Sequence, residues 1–208
     1  TRFDTGGTTP LAEGLLADII TAYESACPGA IGSVLLLDPD GRRLRHGAAP
    51  SLPAAYVAAI DGIEIGAAAG SCGTAAWTRK TVIVADITVD PRWVEHRALA
   101  AAHGLAACWS IPLQSTRQQV LGTFAIYYRT PRAPGPDEIT AIERAAYLAS
   151  VAIERHAAKT ELAQSEARYR NLYNNTPSMQ CSIDAHGVLV DVSDYWLAVM
   201  GYRRDEVI

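Results

Sequence analysis

AACWSIPLQSTRQQVLGTFAIYY, residues 106–128, decides the class of fold. AACWSIPL and QVLGTFAIYY are apolar runs of strand length, rich in β-branched and aromatic residues, and the polar STRQQ between them is a turn. The pair reads as an antiparallel hairpin. Alternation within the first strand puts Cys108 and Ser110 on one face and Trp109 and Ile111 on the other.

Upstream, Asp90-Pro91 reads as an N-cap followed by proline at the first helical position, opening a helix to about Gly104. TVIVADI before it is a β-branched strand, and SCGTAAWTRK before that is helical in composition. DGIEIG is a short extended piece, and PAAYVAAI, residues 53–60, suits a short helix. SVLLLDPDGRRLRHG reads as a second hairpin around a DPDG turn, where Gly41 tolerates positive φ. Residues 9–26 carry Leu11, Leu15, Leu16, Ile19 and Ile20 at helical spacing, with Pro10 in the first turn. Downstream, PRAPGPDE breaks the pattern with three prolines and a glycine before a helix from about Asp137 to Tyr173. Helices alternating irregularly with antiparallel hairpins define an α+β domain.

The long helix carries a second message. Leu148, Val151, Arg155, Ala158, Leu162, Ser165, Tyr169 and Leu172 recur at alternating steps of three and four, and six of the eight are apolar. That pattern fits the seam of a parallel homodimer through about residues 137–173. From Asn174 the composition changes: NTPSMQCSIDAHGVLVDVSDYWLAVMGYRRDEVI gives a strand, an Asp-Ala-His-Gly turn, a strand and a helix stopping at Gly201. This is the opening third of another domain.

The totals bound the function. A chain of 208 residues exceeds one average domain, and 49% hydrophobic content supplies a core. The net charge of -4 gives no basic stripe for nucleic acid, where clustered Lys or Arg must neutralise phosphates. No apolar run reaches membrane-span length and no signal-peptide pattern opens the chain, so a cytoplasmic segment is expected. The four cysteines, Cys27, Cys72, Cys108 and Cys181, form no CxxC pair and no zinc-type spacing.

Taken in order, GSCGTAAW, TVIVADI with DPRW after it, GLAACWSIPL and VLGTFAIYY resemble the GAF domain, a small-molecule sensory module of signalling proteins. The tail, SEARYRNLYNNTPSMQCSIDAHGVLVDVSDYWLAVMGYRRDEVI, looks like the start of a PAS domain. The resemblance implies a GAF-like six-stranded antiparallel sheet with helices on both faces and a pocket roofed by the connecting segments. Its boundaries would be 1–156 for the GAF domain, 157–173 for a helical linker and 174–208 for the N-terminal part of a PAS domain. It also implies a regulatory, non-enzymatic role in a bacterial histidine kinase or cyclic-di-GMP turnover protein, with an output domain elsewhere on the chain. The expected partners are a second copy and an unknown small molecule.

The Cys-His pair that attaches a bilin in phytochrome-type GAF domains is missing, since Gly73 follows Cys72 and Trp109 follows Cys108. The NKFDE motif of cyclic-nucleotide phosphodiesterase GAF domains is also absent. The cofactor stays unknown, with haem or another small ligand left open.

The ligand-binding residues expected are Cys72, Trp93, His96, Cys108 and Ser110. Cys72 near a helix start could be a reactive thiol, because backbone N–H groups and the helix dipole favour a thiolate there. Against this, burial among alanines would raise the thiol pKa, and a small residue between two glycines, Gly70 and Gly73, suits a close crossing of helix and strand. Size is the favoured explanation. Cys108 and Ser110 are expected to face the pocket and Trp109 to pack under the flanking helices. Trp93 would wall the pocket, with Trp77 in the core. His96 shares a helix face with Trp93, while His103, about 10 Å further along the helix, could not join it on one metal ion.

GSCGTA also resembles the corresponding segment of free methionine-(R)-sulfoxide reductase, a GAF-fold enzyme. That resemblance implies a rival role in which Cys72 and Cys108 form a redox pair. A dimerisation module with no ligand is the third possibility. A phosphate-binding P-loop is excluded, because Thr74 rather than Lys follows Gly73.

Overall fold

The structure is a computed structural model that describes residues 10–208, with side chains described from residue 13 onward. Thr9 and the side chain of Leu11, included in the first expected helix, lie outside the described residues. In chain order the elements are α1 (Pro10–Ala26), β1 (Ile31–Leu37), β2 (Arg43–Ala48), α2 (Ala54–Ile60), β3 (Ile63–Glu64) and α3 (Gly70–Thr78). There follow β4 (Val82–Val84), a 3-10 turn (Pro91–Trp93), α4 (Arg97–Ala102), β5 (Ala107–Gln114), β6 (Val120–Tyr128) and α5 (Pro136–Asn175). After these come β7 (Cys181–Ile183), β8 (Leu189–Val192), α6 (Asp194–Met200) and α7 (Arg204–Val207). The chain divides into two compact units, the first ending at Ala157 and the second spanning Ala158–Ile208.

In the first unit six strands pair in the order β3-β2-β1-β6-β5-β4, every neighbour antiparallel. Paired residues in such a sheet present side chains to the same face. One face therefore reads, row by row across β1, β6, β5 and β4, as Ile31, Tyr127, Cys108, Val84 and then Ser33, Ala125, Ser110, Val82. The opposite face carries Gly32, Ile126, Trp109, Ile83 and then Val34, Phe124, Ile111.

Each face builds its own core. Leu16, Ile20 and Tyr23 of α1 and Ile142, Ala145, Ala146 and Ala149 of α5 pack on Trp109, Phe124 and Ile126. Tyr56 and Ile60 of α2, Cys72, Ala75 and Ala76 of α3, Trp93 and Ala100 cover the other face, around Cys108, Ala125 and Tyr127. At the centre β1 and β6 approach closely enough to require glycine: a Cβ on Gly122 would stand 2.1 Å from the Leu35 carbonyl oxygen.

Two local expectations are corrected. The helix expected from Pro91 to about Gly104 is broken into a 3-10 turn and a separate α4. Asp90 does cap the start, accepting from the Arg92 backbone N–H at 2.9 Å, but its carboxylate also takes the Arg92 guanidinium. The Arg97 guanidinium donates to the carbonyls of Ile87 and Asp90, so side chains compete with the helical ladder and hold the segment against the sheet. Trp77, expected in the core, is 59% exposed. The face of α3 that meets the sheet is made of small residues, Ser71, Cys72, Ala75 and Ala76, and the indole is left on the outer side.

In the second unit β7 and β8 form an antiparallel hairpin. Asp184 organises its turn by accepting from the backbone of His186 and Val188, and Gly187 adopts φ +79°. Ser193 caps α6 through the Trp196 N–H, and Gly201 ends it in the left-handed conformation. No helix among the described residues is long and apolar enough to cross a membrane.

Candidate functional site

A polar cluster lies inside the first unit, between the sheet and α2, α3 and the 3-10 turn. Its floor follows from strand phase. On β1, β6 and β5 the face under α3 presents Ser33, Thr123, Ala125, Tyr127, Cys108 and Ser110, where a typical core face would be aliphatic throughout. All are at or within 1% of complete burial. The hydroxyls of Ser33, Ser110 and Thr123 have no hydrogen-bond partner, although an unpaired buried hydroxyl costs about 1–3 kcal/mol. No formally charged side chain is among the buried residues described.

The roof is set by the turn into α3. Gly70, at φ +63°, redirects the chain so that Ser71 and Cys72 point down on the sheet; a Cβ there would touch Trp93 and His96 at 3.7 Å. Ser71 Oγ donates to the Cys108 carbonyl at 3.0 Å and accepts from Trp93 Nε1 at 3.0 Å. One hydroxyl thus ties together β5, α3 and the 3-10 turn. Cys72 Sγ stands 3.8 Å from the Tyr127 hydroxyl. Tyr56 closes the side, edge-on to both Tyr127 and His103.

The two buried thiols share one core cluster around Tyr127, and the environment splits them. Hydrogen bonding from Cys108, outweighing burial and aided by Ser110, Tyr127 and Thr123, lowers the Cys72 pKa. Burial, followed by the neighbouring Cys72, pushes Cys108 well up. Of the two, Cys72 has the surroundings that favour a thiolate and Cys108 those that disfavour it. Burial does act to raise Cys72, as expected, but the polar groups around its sulfur, with Tyr127 Oη at 3.8 Å, act the other way. Burial also raises Tyr127 and Tyr56, which keeps both as neutral donors.

Among the residues singled out in the sequence, Cys72, Cys108 and Ser110 are brought together, and Trp93 joins them through Ser71. His96 is half-buried beside Gly70, at the N-terminus of α4. His103 ends the same helix and turns instead to Tyr56. Sequence reasoning missed Ser33, Ser71, Thr123 and Tyr127. The available signal was the phase of TFAIYY, whose residues 123, 125 and 127 must share a face with Cys108 once β5 and β6 pair. Among the described residues no three His, Cys, Asp or Glu gather as a metal site. The second unit holds a cleft of about 560 Å³ near Tyr173, Asp191 and Arg204, but Arg204 is engaged by both Asp191 and Asp194.

A six-stranded antiparallel sheet with two helices behind it, and short helices over a polar interior in front, defines a small α+β domain. The chain belongs to the GAF domain family, whose match covers residues 12–154. It is 38% identical over 191 residues to the methyl sulfide methyltransferase-associated sensor of Methanosarcina acetivorans. That alignment covers 91% of this chain, but the chain spans only 19% of the length of that relative.

Solved structures show the fold. A domain described as that of a two-component sensor histidine kinase from Sinorhizobium meliloti 1021 superimposes with a TM-score of 0.61 at 22% identity, over 74% of this chain and 99% of that one. The free methionine-R-sulfoxide reductase of Neisseria meningitidis, solved with its substrate, gives a TM-score of 0.55 at 16% identity, over 72% of this chain and 81% of that one.

Proposed function

We propose that this chain is the sensory part of a multidomain cytoplasmic signalling protein, and that its polar interior takes a small, neutral, hydrogen-bonding ligand. The observation that carries the reading is the set of three unpartnered, fully buried hydroxyls, Ser33, Ser110 and Thr123, on one face of the sheet. Hydroxyls in that position gain most from a ligand that supplies donors and acceptors. A charged ligand would find no counter-charge among the buried residues described, and its desolvation would go uncompensated. Trp93 and His96 lie beside Gly70 and would cover the ligand. The relationship to a protein named as a sensor supports the reading.

Output runs through α5. Leu148, Leu162, Tyr169 and Leu172 are 56–65% exposed in the single chain, along the seam expected of a parallel dimer. A second copy covering that stripe would pass a change in the first unit to the rest of the protein as a shift of helix register. Residues 174–208 are read as the opening of a PAS domain, and a histidine kinase or cyclic-di-GMP enzyme as the output. Native mass spectrometry tests both parts together. The expected species is a dimer carrying one small molecule per chain, with the molecule lost in Ser110→Leu. A bare monomer would overturn the reading.

A second reading is favoured by one observation: Cys72 and Cys108, on different elements, share one core cluster, each beside Tyr127. It makes the chain a reductase of free methionine sulfoxide. NADPH-coupled turnover of that substrate by the reduced protein would establish it; absence of turnover by a folded, fully reduced sample would remove it.

A further inference from the structure

The sensory reading leaves the cleft of the second unit without a role. Its volume is about 560 Å³, and Glu166, Tyr169, Arg170 and Tyr173 of α5 line it. These stand at positions i, i+3, i+4 and i+7, so they share one face of the helix. The facing wall holds Arg204 between Asp191, at 2.6 Å, and Asp194, at 3.0 Å. Three carboxylates against two guanidinium groups leave the cleft with one excess negative charge. Among the described residues neither Glu166 nor Arg170 has an ion-pair partner.

Tyr169 connects this cleft to the stripe expected to pair with a second copy. It lines the cleft, stacks on Tyr173 with ring centroids 5.9 Å apart, and is 65% exposed. Tyr173 behind it is buried, and its hydroxyl has no hydrogen-bond partner. Whatever covers the stripe therefore stands beside the cleft. With Leu162 and Tyr169 at position a of the heptad and Ser165 and Leu172 at position d, Glu161 and Arg168 fall at position g and Glu166 and Tyr173 at position e. In a parallel pair a g residue faces the e residue of the next heptad on the other helix. Arg168 thus faces the partner's Tyr173, at the cleft, while Glu161 faces the partner's Glu166, a like-charge pair. Arg168 is exposed and has no ion-pair partner among the described residues.

We propose that the cleft of each chain receives Arg168 of the partner subunit, which fastens β8 and α7 of one chain to the helix of the other. The proposal deepens the dimeric output reading and rests on it. A guanidinium suits the cleft in three ways. Its charge offsets the excess carboxylate and the repulsion between Glu161 and the partner's Glu166. Its flat face packs on tyrosine rings, and its fork donates to carboxylate oxygens that Arg204 leaves free. A two-fold axis makes the contact twice in each dimer. A free anion, by contrast, would be repelled by the excess negative charge of the lining.

The test uses the full chain in sedimentation equilibrium at low salt, with circular dichroism to confirm that each variant is folded. Arg168→Ala should raise the dimer Kd about tenfold, from two contacts of roughly threefold each, and Arg168→Glu about a hundredfold. Arg168→Lys, which keeps the charge without the planar fork, should fall between Arg168→Ala and the parent. Glu161→Ala, which removes the opposing carboxylate, should tighten the dimer. Should Arg168→Glu fray the helix, Arg168→Ala carries the test alone, since alanine is the stronger helix former. At concentrations where parent and Arg168→Ala are both dimeric, hydrogen exchange over Leu189–Val192 and Arg204–Val207 should be faster in the variant. A seam that involved α5 alone would leave it unchanged.

A parent dimer whose Kd stays within about twofold in Arg168→Ala overturns the contact and leaves the dimer reading in place. So does unchanged exchange over α7 in dimeric Arg168→Ala, or a Glu161→Ala variant that weakens the dimer as much as Arg168→Ala does. A parent that is monomeric at every concentration removes the dimer reading itself, and the contact with it.

Discussion

Replacing Ser71 by alanine tests whether one hydroxyl holds the roof of the interior to its floor. Ser71 is fully buried; its Oγ accepts from Trp93 Nε1 and donates to the Cys108 carbonyl, both at 3.0 Å. The substitution deletes two hydrogen bonds and leaves the indole N–H, on a residue only 4% exposed, without an acceptor. Stranding a buried donor costs about 1–3 kcal/mol, and losing the second bond about 0.5–1.5 kcal/mol more, for roughly 3 kcal/mol in all. At 2–4 °C per kcal/mol for a chain of this size, Tm should fall by about 6–12 °C. Urea unfolding followed by tryptophan fluorescence measures the loss, and an unchanged m-value shows that the native state is intact.

The mechanism has its own check in a double-mutant cycle with Trp93→Phe, which removes the donor itself. If the stranded N–H dominates, the double variant loses less than the sum of the single ones by about 1 kcal/mol or more. A loss below about 0.5 kcal/mol for Ser71→Ala, the range of an ordinary surface substitution, refutes the linkage; so does a strictly additive cycle.

Three further outcomes follow from the same geometry. Cys72 has a lowered folded pKa, so its contribution to stability is present above the unfolded thiol pKa and is lost as pH falls through the folded value. Chemical denaturation across pH 6–9 should show this rise with pH, and Cys72→Ser should flatten it. Arg132 is bidentate with Glu138, lies over the Tyr128 ring at 4.5 Å, and offers its carbonyl to Trp109 Nε1. Arg132→Ala should cost about 1–2 kcal/mol in urea unfolding, more than an exposed ion pair provides. In the coil, Leu162→Asp with Leu172→Asp should give a monomer in analytical ultracentrifugation and leave the melting of the first unit unchanged; a persisting dimer would place the contact elsewhere.

How far the sequence could be read depended on whether the deciding interaction was local. The hairpins around DPDG and STRQQ, the strand alternation of Cys108 and Trp109, and the 40-residue α5 all follow from periodicity and turn chemistry within about ten residues. The break after Trp93 does not. It arises because Arg97 reaches back to the carbonyls of Ile87 and Asp90 while the indole is drawn to Ser71, 22 residues earlier. Hydrophobicity alone puts Trp77 inside, yet the sheet-facing side of α3 is taken by the small side chains of Ser71, Cys72, Ala75 and Ala76. The surroundings of Cys72 are hidden for the same reason: Tyr127 comes to its sulfur from β6 and Cys108 and Ser110 from β5, so nothing near residue 72 announces them.

The polar interior and α5 are joined through a single strand, which gives the sensory proposal a physical route. On β5, Cys108 and Ser110 face the polar cluster while Trp109, between them, faces the opposite core and donates to the Arg132 carbonyl at 3.1 Å. Arg132 in turn grips Glu138 in the first turn of α5, and Glu138 also accepts from the Gly135 backbone N–H. A displacement of β5 by a ligand under α3 cannot move the inward side chains without moving Trp109, because the strand alternates. Nor can Trp109 move freely, since Tyr128 packs against its ring and Arg132 stacks over both. The tight packing on the α5 side passes small shifts on rather than absorbing them. Trp109→Phe is therefore the variant that separates sensing from output. It should leave ligand retention intact, yet abolish any ligand-dependent change in protection of α5 measured by hydrogen exchange.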